Sequence, residues 1–95
     1  MSFTSIIQSA AIKSLSELYE QQFSASDFQI NETKPEFEGD YTIVLFALVK
    51  TLKKNPEKLG NELGEHLVTT YPDFFSGYNV IKGFLNLEIN DAELI

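Results

Sequence analysis

Residues 78–89, Tyr78-Asn79-Val80-Ile81-Lys82-Gly83-Phe84-Leu85-Asn86-Leu87-Glu88-Ile89, form two alternating runs that meet at Gly83. The pattern predicts two strands joined or kinked at that glycine. Side chains alternate along a strand, so Leu85, Leu87 and Ile89 share one face and belong to a core. Phe84, Asn86 and Glu88 then share the opposite, wetter face. An aromatic beside an amide on an open strand face is poor core material. It suits a nucleotide base, which takes the ring against its plane and the amide on its edge. The plainer alternative is that Phe84 is core in a sheet covered on both sides.

Upstream of this hairpin, Asp73 to Gly77 reads as a loop and Tyr71-Pro72 as a helix end. Asn55-Pro56-Glu57 is a helix start, with a capping residue, proline at the first helical position and an acid in the first turn. The helix it opens, about 56–70, carries Leu59, Leu63, Leu67 and Val68 on one face, and Gly60-x-x-x-Gly64 permits close packing against the protein's own sheet. Asp40 stands as an N-cap before a helix over Tyr41 to Lys54 that is apolar nearly all round from Ile43 to Val49. Phe28 to Asn31 alternates as a strand, partnered by Phe37 to Tyr41 after a turn around Lys34-Pro35. Ser24 to Asp27 is loop. Residues 3–21 space Ile6, Ile7, Ala10, Ala11, Leu15, Leu18 and Tyr19 as an amphipathic helix, with Ser2, Thr4 or Ser5 to cap it. The order helix, two strands, two helices, two strands predicts an α+β fold. It is a two-layer α/β sandwich with an antiparallel sheet, formed by residues 1–95 as a single domain.

The chain has 95 residues, 43% of them apolar, with eight Phe, four Tyr and no Cys. That is enough for one modest core and excludes a disulfide framework or a thiolate metal site. The longest apolar run, Ile43 to Val49, falls far short of the ~20 residues that a membrane helix needs. Met1 to Ala11 has no basic residue ahead of its apolar part, unlike a signal peptide. The expectation is a soluble, cytoplasmic domain. The net charge of −7 argues against DNA and against generic nucleic-acid binding, leaving only a local patch. All seven cations are Lys, and Lys50, Lys53, Lys54 and Lys58 cluster at the end of one predicted helix and the start of the next. They are candidate phosphate contacts, or else a solvated helix end.

Three other constellations carry possible chemistry. Glu36, Glu38 and Asp40 would point one way on a strand and could hold Mg²⁺ or Ca²⁺, the basis of a carboxylate-dependent metal enzyme. A solvated strand face explains them more simply. His66, the only histidine, lies four residues after Glu62, and a surface ion pair accounts for it. No nucleophile–base arrangement is suggested, so the chain alone carries no catalytic residues. A second class of function is an acidic protein-interaction module that uses the 17–40 surface or a sheet edge without binding RNA.

Phe37-Glu38-Gly39-Asp40-Tyr41, the apolar helix ending in Lys53-Lys54, Pro56 opening the next helix, and Gly83-Phe84-Leu85-Asn86-Leu87 together resemble the N-terminal additional domain of arginyl-tRNA synthetase. The likeness covers nearly the whole chain in order. It implies a domain that lies on the tRNA elbow and reads a D-loop base through the "GF-x-N" motif. That motif maps onto Phe84 and Asn86, with Ile81 as a further base contact. Lys82 stands where many members have Pro or Gly, and offers a phosphate contact. Thr42-Ile43-Val44 stands where many carry an Asn, so no role is carried over there. The implied partners are arginine-accepting tRNA and the catalytic and anticodon-binding domains of the same enzyme. This chain needs no cofactor, while the full synthetase uses ATP and Mg. The sequence holds neither the His-x-Gly-His nor the Lys-Met-Ser-Lys type of motif, so the resemblance implies an accessory domain that does not itself activate arginine.

Overall fold

The computed structural model describes residues 2–94. In chain order the elements are α1 (Phe3–Tyr19), a short 3-10 turn (Ala25–Asp27), β1 (Gln29–Glu32), β2 (Tyr41–Val44), α2 (Phe46–Leu52), α3 (Pro56–Thr70), β3 (Phe75–Ile81), β4 (Phe84–Ile89) and a single helical turn, α4 (Asp91–Leu94). The sheet is antiparallel throughout, in the order β1-β2-β4-β3. The expected α+β sandwich is what forms. No helix among the described residues is long and apolar enough to cross a membrane.

Local chemistry explains the helices that the sequence marks well. Ser2 Oγ accepts from Ser5 N (3.1 Å) and caps α1, and Asn55 Oδ1 accepts from Glu57 N (2.8 Å) and Lys58 N (3.2 Å) ahead of Pro56 in α3. Ile7, Ala10, Ala11 and Leu15 of α1 and Leu59, Leu63 and Leu67 of α3 are buried against Ile43, Leu85, Leu87 and Ile89 of the sheet. Gly60 and Gly64 let α3 settle directly on β3. A Cβ at Gly60 would come 2.8 Å from the Val80 methyls, and one at Gly64 2.5 Å from the Tyr78 ring.

Two expectations are corrected. Residues 41–54 are not one helix: Tyr41–Val44 is a central strand, paired with β1 on one side and β4 on the other, and the helix begins only at Phe46. Ile43 is buried in the core while Thr42 is buried and Val44 half-buried on the other face, so the run lacks the alternation of a strand with one open face, and the β-branched Thr42-Ile43-Val44 favours the strand. Asp40 is accordingly no helix cap; its Oδ2 accepts from Ile89 N (2.8 Å) and continues the ladder to β4. Phe37 to Asp40 is not the partner strand of β1. Residues 33–40 form a strap, closed at its stem by Thr33 N donating to Asp40 O (3.2 Å) and turned by Phe37 N donating to Lys34 O (3.0 Å). At the other end, β3 starts at Phe75, inside the predicted 73–77 loop.

Between the helices, the Tyr19 hydroxyl donates to Glu62 Oε1 (2.6 Å), which Lys54 Nζ also approaches (3.4 Å). His66 does not pair with Glu62. Its Nε2 lies 3.7 Å from Glu17 and its Nδ1 2.8 Å from the buried Ser14 hydroxyl, both on α1. The helix packing turns that face of α3 toward α1 and leaves Glu62 to Tyr19.

Two outcomes follow from this packing. Gly64→Ala should cost about 1–3 kcal/mol by driving the Tyr78 ring off the sheet, against the ~1 kcal/mol of helix propensity that alanine returns. Gly77→Ala, whose Cβ would find its nearest neighbour at 3.5 Å, should leave the urea midpoint unchanged or raise it. Burial, and then the bond to Glu62, hold the Tyr19 hydroxyl above its ordinary pKa of 10.0. The contribution is therefore complete below pH 10 and falls as the pH climbs beyond it, because the unfolded chain releases that proton first. Tyr19→Phe should flatten the alkaline limb of the stability curve.

Candidate nucleic-acid interface

The helices cover one face of the sheet, and the other face carries the candidate site. Register places Gln29 opposite Val44, Asn31 opposite Thr42, Thr42 opposite Asn86, Val44 opposite Phe84, Asn79 opposite Asn86 and Ile81 opposite Phe84. Leu85, Leu87 and Ile89 point the other way into the core. Alternation in β4 therefore reads correctly, and Phe84, Ile81 and Asn86 come together on one face.

That face is not wet throughout. Phe84 and Ile81 are half-buried, but Asn86 is 0% exposed. The strap crosses it: a Cβ on Gly39, which sits at φ 137°, would lie 3.1 Å from Asn86 Cβ and 3.1 Å from Thr33 Oγ1. Only glycine fits both the dihedral and the space there. Beneath the strap a polar chain runs across the sheet. The Thr33 and Thr42 hydroxyls lie 2.9 Å apart, Thr42 Oγ1 donates to Asn86 Oδ1 (2.6 Å), Asn86 Nδ2 donates to Asn79 Oδ1 (3.0 Å), and Asn79 Nδ2 donates to the Glu38 carbonyl (2.8 Å). The Gly39-Asp40-Tyr41 and Gly83-Phe84-Leu85-Asn86 segments are thus one unit. The expectation that Asn86 offers its amide to solvent is corrected: the residue is buried, and its amide is bonded to Thr42 and Asn79 on the two neighbouring strands. A cavity of about 60 Å³ between Lys34, Phe37, Phe84 and Asn86 has room for a few waters but not for a base.

Around Phe84 the surface opens and turns basic. Lys34 Nζ lies 5.3 Å from the centre of the Phe84 ring, and the Phe46 ring meets Phe84 edge to face at 5.6 Å and 81°. Phe46 lies across Gly83, where a Cβ would come 2.3 Å from the ring, and the Gly83 carbonyl accepts from Leu45 N (2.8 Å). Lys82 is exposed in the two-residue turn with φ 56°, a left-handed position that costs a non-glycine residue roughly 1–2 kcal/mol. Lys50 is exposed one helical turn beyond Phe46, on the same side of α2.

The four-lysine cluster divides. Lys50 belongs to this corner, and Lys53 is the exposed left-handed cap of α2. Lys54 turns to Glu62 and lies 5.3 Å from the Tyr19 ring; the Tyr19 hydroxyl first, then Lys54 and least Lys58, hold Glu62 below the ordinary carboxylate range. Glu36 and Glu38 are exposed on the strap, and Asp40 is occupied by Ile89 N, so the three carboxylates share no strand face. Among the described residues no three of His, Asp and Glu converge on a metal-sized site. Lys34 and Phe46 were not singled out by the sequence reading. The signal for Phe46 was Gly83 itself, a glycine where another side chain needs the space.

Asn86→Ala removes the acceptor of the Thr42 hydroxyl, leaving it only Thr33, and leaves Asn79 Oδ1 without its donor, and should destabilise the fold by about 1–3 kcal/mol. Adding Thr42→Val should cost much less than it does in the wild type, because the hydroxyl has already lost its acceptor. Urea titration of the four proteins of this cycle measures the coupling, and strict additivity would break the chain as drawn.

The comparisons with known proteins agree with this geometry. The profile of the family described as "Arginyl tRNA synthetase N terminal domain" matches residues 5–89. An arginine–tRNA ligase of Bacteroides fragilis is 43% identical over 86 residues, which make up 90% of this chain and 14% of that protein. The Parabacteroides distasonis enzyme of the same name is 42% identical over 83 residues, covering 87% of this chain and 14% of the relative. Among solved structures, Thermus thermophilus arginyl-tRNA synthetase shares the fold with a TM-score of 0.77 at 24% identity, over 98% of this chain and 15% of that one. The chain thus spans about one seventh of the length of the curated relatives that it matches. With its sheet, its strap and nearly all of its sequence accounted for in this way, the chain belongs to the arginyl-tRNA synthetase N-terminal domain family.

Proposed function

We propose that this chain is the accessory tRNA-binding domain of a cytoplasmic arginine–tRNA ligase. It lies on the tRNA elbow and holds a D-loop base, while arginine activation with ATP and Mg²⁺ falls to a catalytic domain of the same enzyme and a further domain binds the anticodon. The observation that carries this is the Phe84 corner: a half-exposed ring at the edge of a polar sheet face, with Lys34 over it, Lys82 exposed two residues before it and Lys50 exposed one helical turn on from its neighbour Phe46, in a protein whose net charge is −7. Phe84 takes the base against its ring and Ile81 packs beside it. Asn86 reaches the base edge once the strap has lifted and the amide has exchanged its bonds to Thr42 and Asn79 for the base. Lys82, Lys50 and Lys53 hold phosphates, whereas Lys54 and Lys58 remain with Glu62 in the helix layer.

The test is binding of labelled arginine-accepting tRNA to the chain at low salt, with a melting curve for every variant. Phe84→Ala should weaken binding by about tenfold, the scale of one lost base–aromatic stack. Lys50→Ala and Lys82→Ala should each flatten the slope of log affinity against log salt by about 0.7–0.9, and Lys54→Ala should leave the slope alone. Folded variants that all bind like the wild type would overturn the reading.

A further inference from the structure

Phe46 is the one large apolar side chain left mostly exposed among the described residues, at 56%. The family resemblance does not account for it, and neither does the core. It is nonetheless held in place. Its ring lies across Gly83, its edge-to-face contact with Phe84 fixes the tilt, and the bond from Leu45 N to the Gly83 carbonyl ties the start of α2 to the β3–β4 turn. An exposed aromatic with a fixed orientation loses little freedom when something stacks on it. Beside it runs a groove of about 400 Å³ lined by Phe28, Gln29, Val44 and Ala47, large enough for a nucleoside where the cavity under the strap is not.

The charges nearby select the occupant. Lys50 shares the helix side of Phe46, Lys82 adjoins Gly83, and Lys34 stands over Phe84. None of the three has a carboxylate partner among the described residues, whereas Lys54 is paired. An apolar ring with cations around it matches a base attached to a phosphate better than it matches an aliphatic protein surface. The single carboxylate on the groove, Asp27, is engaged by Ser24 N, from which its Oδ2 accepts (2.8 Å).

We infer that Phe46 is a second stacking platform, which takes an unpaired nucleotide adjacent to the one at Phe84. The chain then grips a two-nucleotide step of a single-stranded loop rather than one base. This rests on the tRNA reading above and adds to it a specific residue and a specific stoichiometry. Val44 and Gln29 form the floor and wall of the second position, and Lys50 and Lys82 hold the phosphates that flank the two bases.

The test combines protein variants with abasic substitutions made one at a time along the D-loop of the arginine-accepting tRNA. Phe46→Ala should weaken binding about tenfold and Phe46→Leu nearly as much, since leucine covers Gly83 but presents no ring. Phe46→Tyr should stay within about twofold of the wild type, because the stacking ring survives. The loss in Phe46→Ala should vanish on one abasic tRNA, and the loss in Phe84→Ala on a neighbouring one. Should Phe46→Ala bind like the wild type while Phe84→Ala fails, the second platform is overturned and the exposed ring returns to a protein contact, with the tRNA reading intact. Should both losses vanish on the same abasic tRNA, Phe46 merely buttresses Phe84 and the inference fails. Should neither variant lose affinity, the tRNA reading fails with it.

Discussion

Gly60 and Gly64 bring the backbone of α3 onto Val80 and Tyr78 with no side chain of its own between them. Every other feature of the molecule follows from that close approach. With α3 pressed flat, α1 can pack alongside it and still reach the sheet, and the two helices between them cover Ile43, Leu85, Leu87 and Ile89. A chain of this length has apolar material for one core layer and not two. Once that layer is spent on one face of the sheet, the other face must be polar, covered by loop, or both. The strap and the chain of hydroxyls and amides beneath it are the solution found here.

The polar chain also explains why an amide rather than an apolar residue sits at position 86. Asn86 has Thr42 on one neighbouring strand, Asn79 on the other and the strap overhead. A leucine there would bury more apolar surface but leave the Asn79 carbonyl without its donor, at a cost of about 1–3 kcal/mol, and the Thr42 hydroxyl with Thr33 alone. An amide can accept from one side and donate to the other, so it links three strands and the strap in one chain across the sheet. Among the described residues no buried side-chain polar atom lacks a partner. In this structure Asn86 is therefore engaged on both sides by its neighbouring strands, with the strap lying over it.

How much of this could be read beforehand depended on how local the cause was. The limits of α1 and α3 and the Leu85-Leu87-Ile89 face were legible because caps and periodicity act within a few residues. β2 carries a helix-like apolar run, and is misread as helix, because both of its faces are covered, one by the core and the other by residues distant in sequence, and that is a tertiary fact. The same error hid Phe46: inside a helix running from 41 to 54 it is one apolar residue among many, whereas at the first turn of a short helix it projects past Gly83. The burial of Asn86 was beyond reach for a similar reason, since the residues that cover it lie more than forty positions earlier. His66 was assigned to the nearest carboxylate along its own helix, but the packing of α1 against α3 offered it Glu17 and Ser14 instead.

Charge sets the last constraint. Three unpaired lysines around one corner release few counterions, so on the tRNA reading the salt-dependent part of binding is small. The chain's remaining negative charge further opposes an RNA that approaches anywhere else. Such a surface is a poor anchor. It becomes a good discriminator when a longer polypeptide already holds the RNA, because tethering replaces bulk concentration with an effective one in the millimolar range for a short linker. Under those conditions a tenfold preference for one loop over another is felt in full. On that reading, weak, orientation-dependent contact through the rings of Phe84 and Phe46 is what the arrangement is suited to deliver.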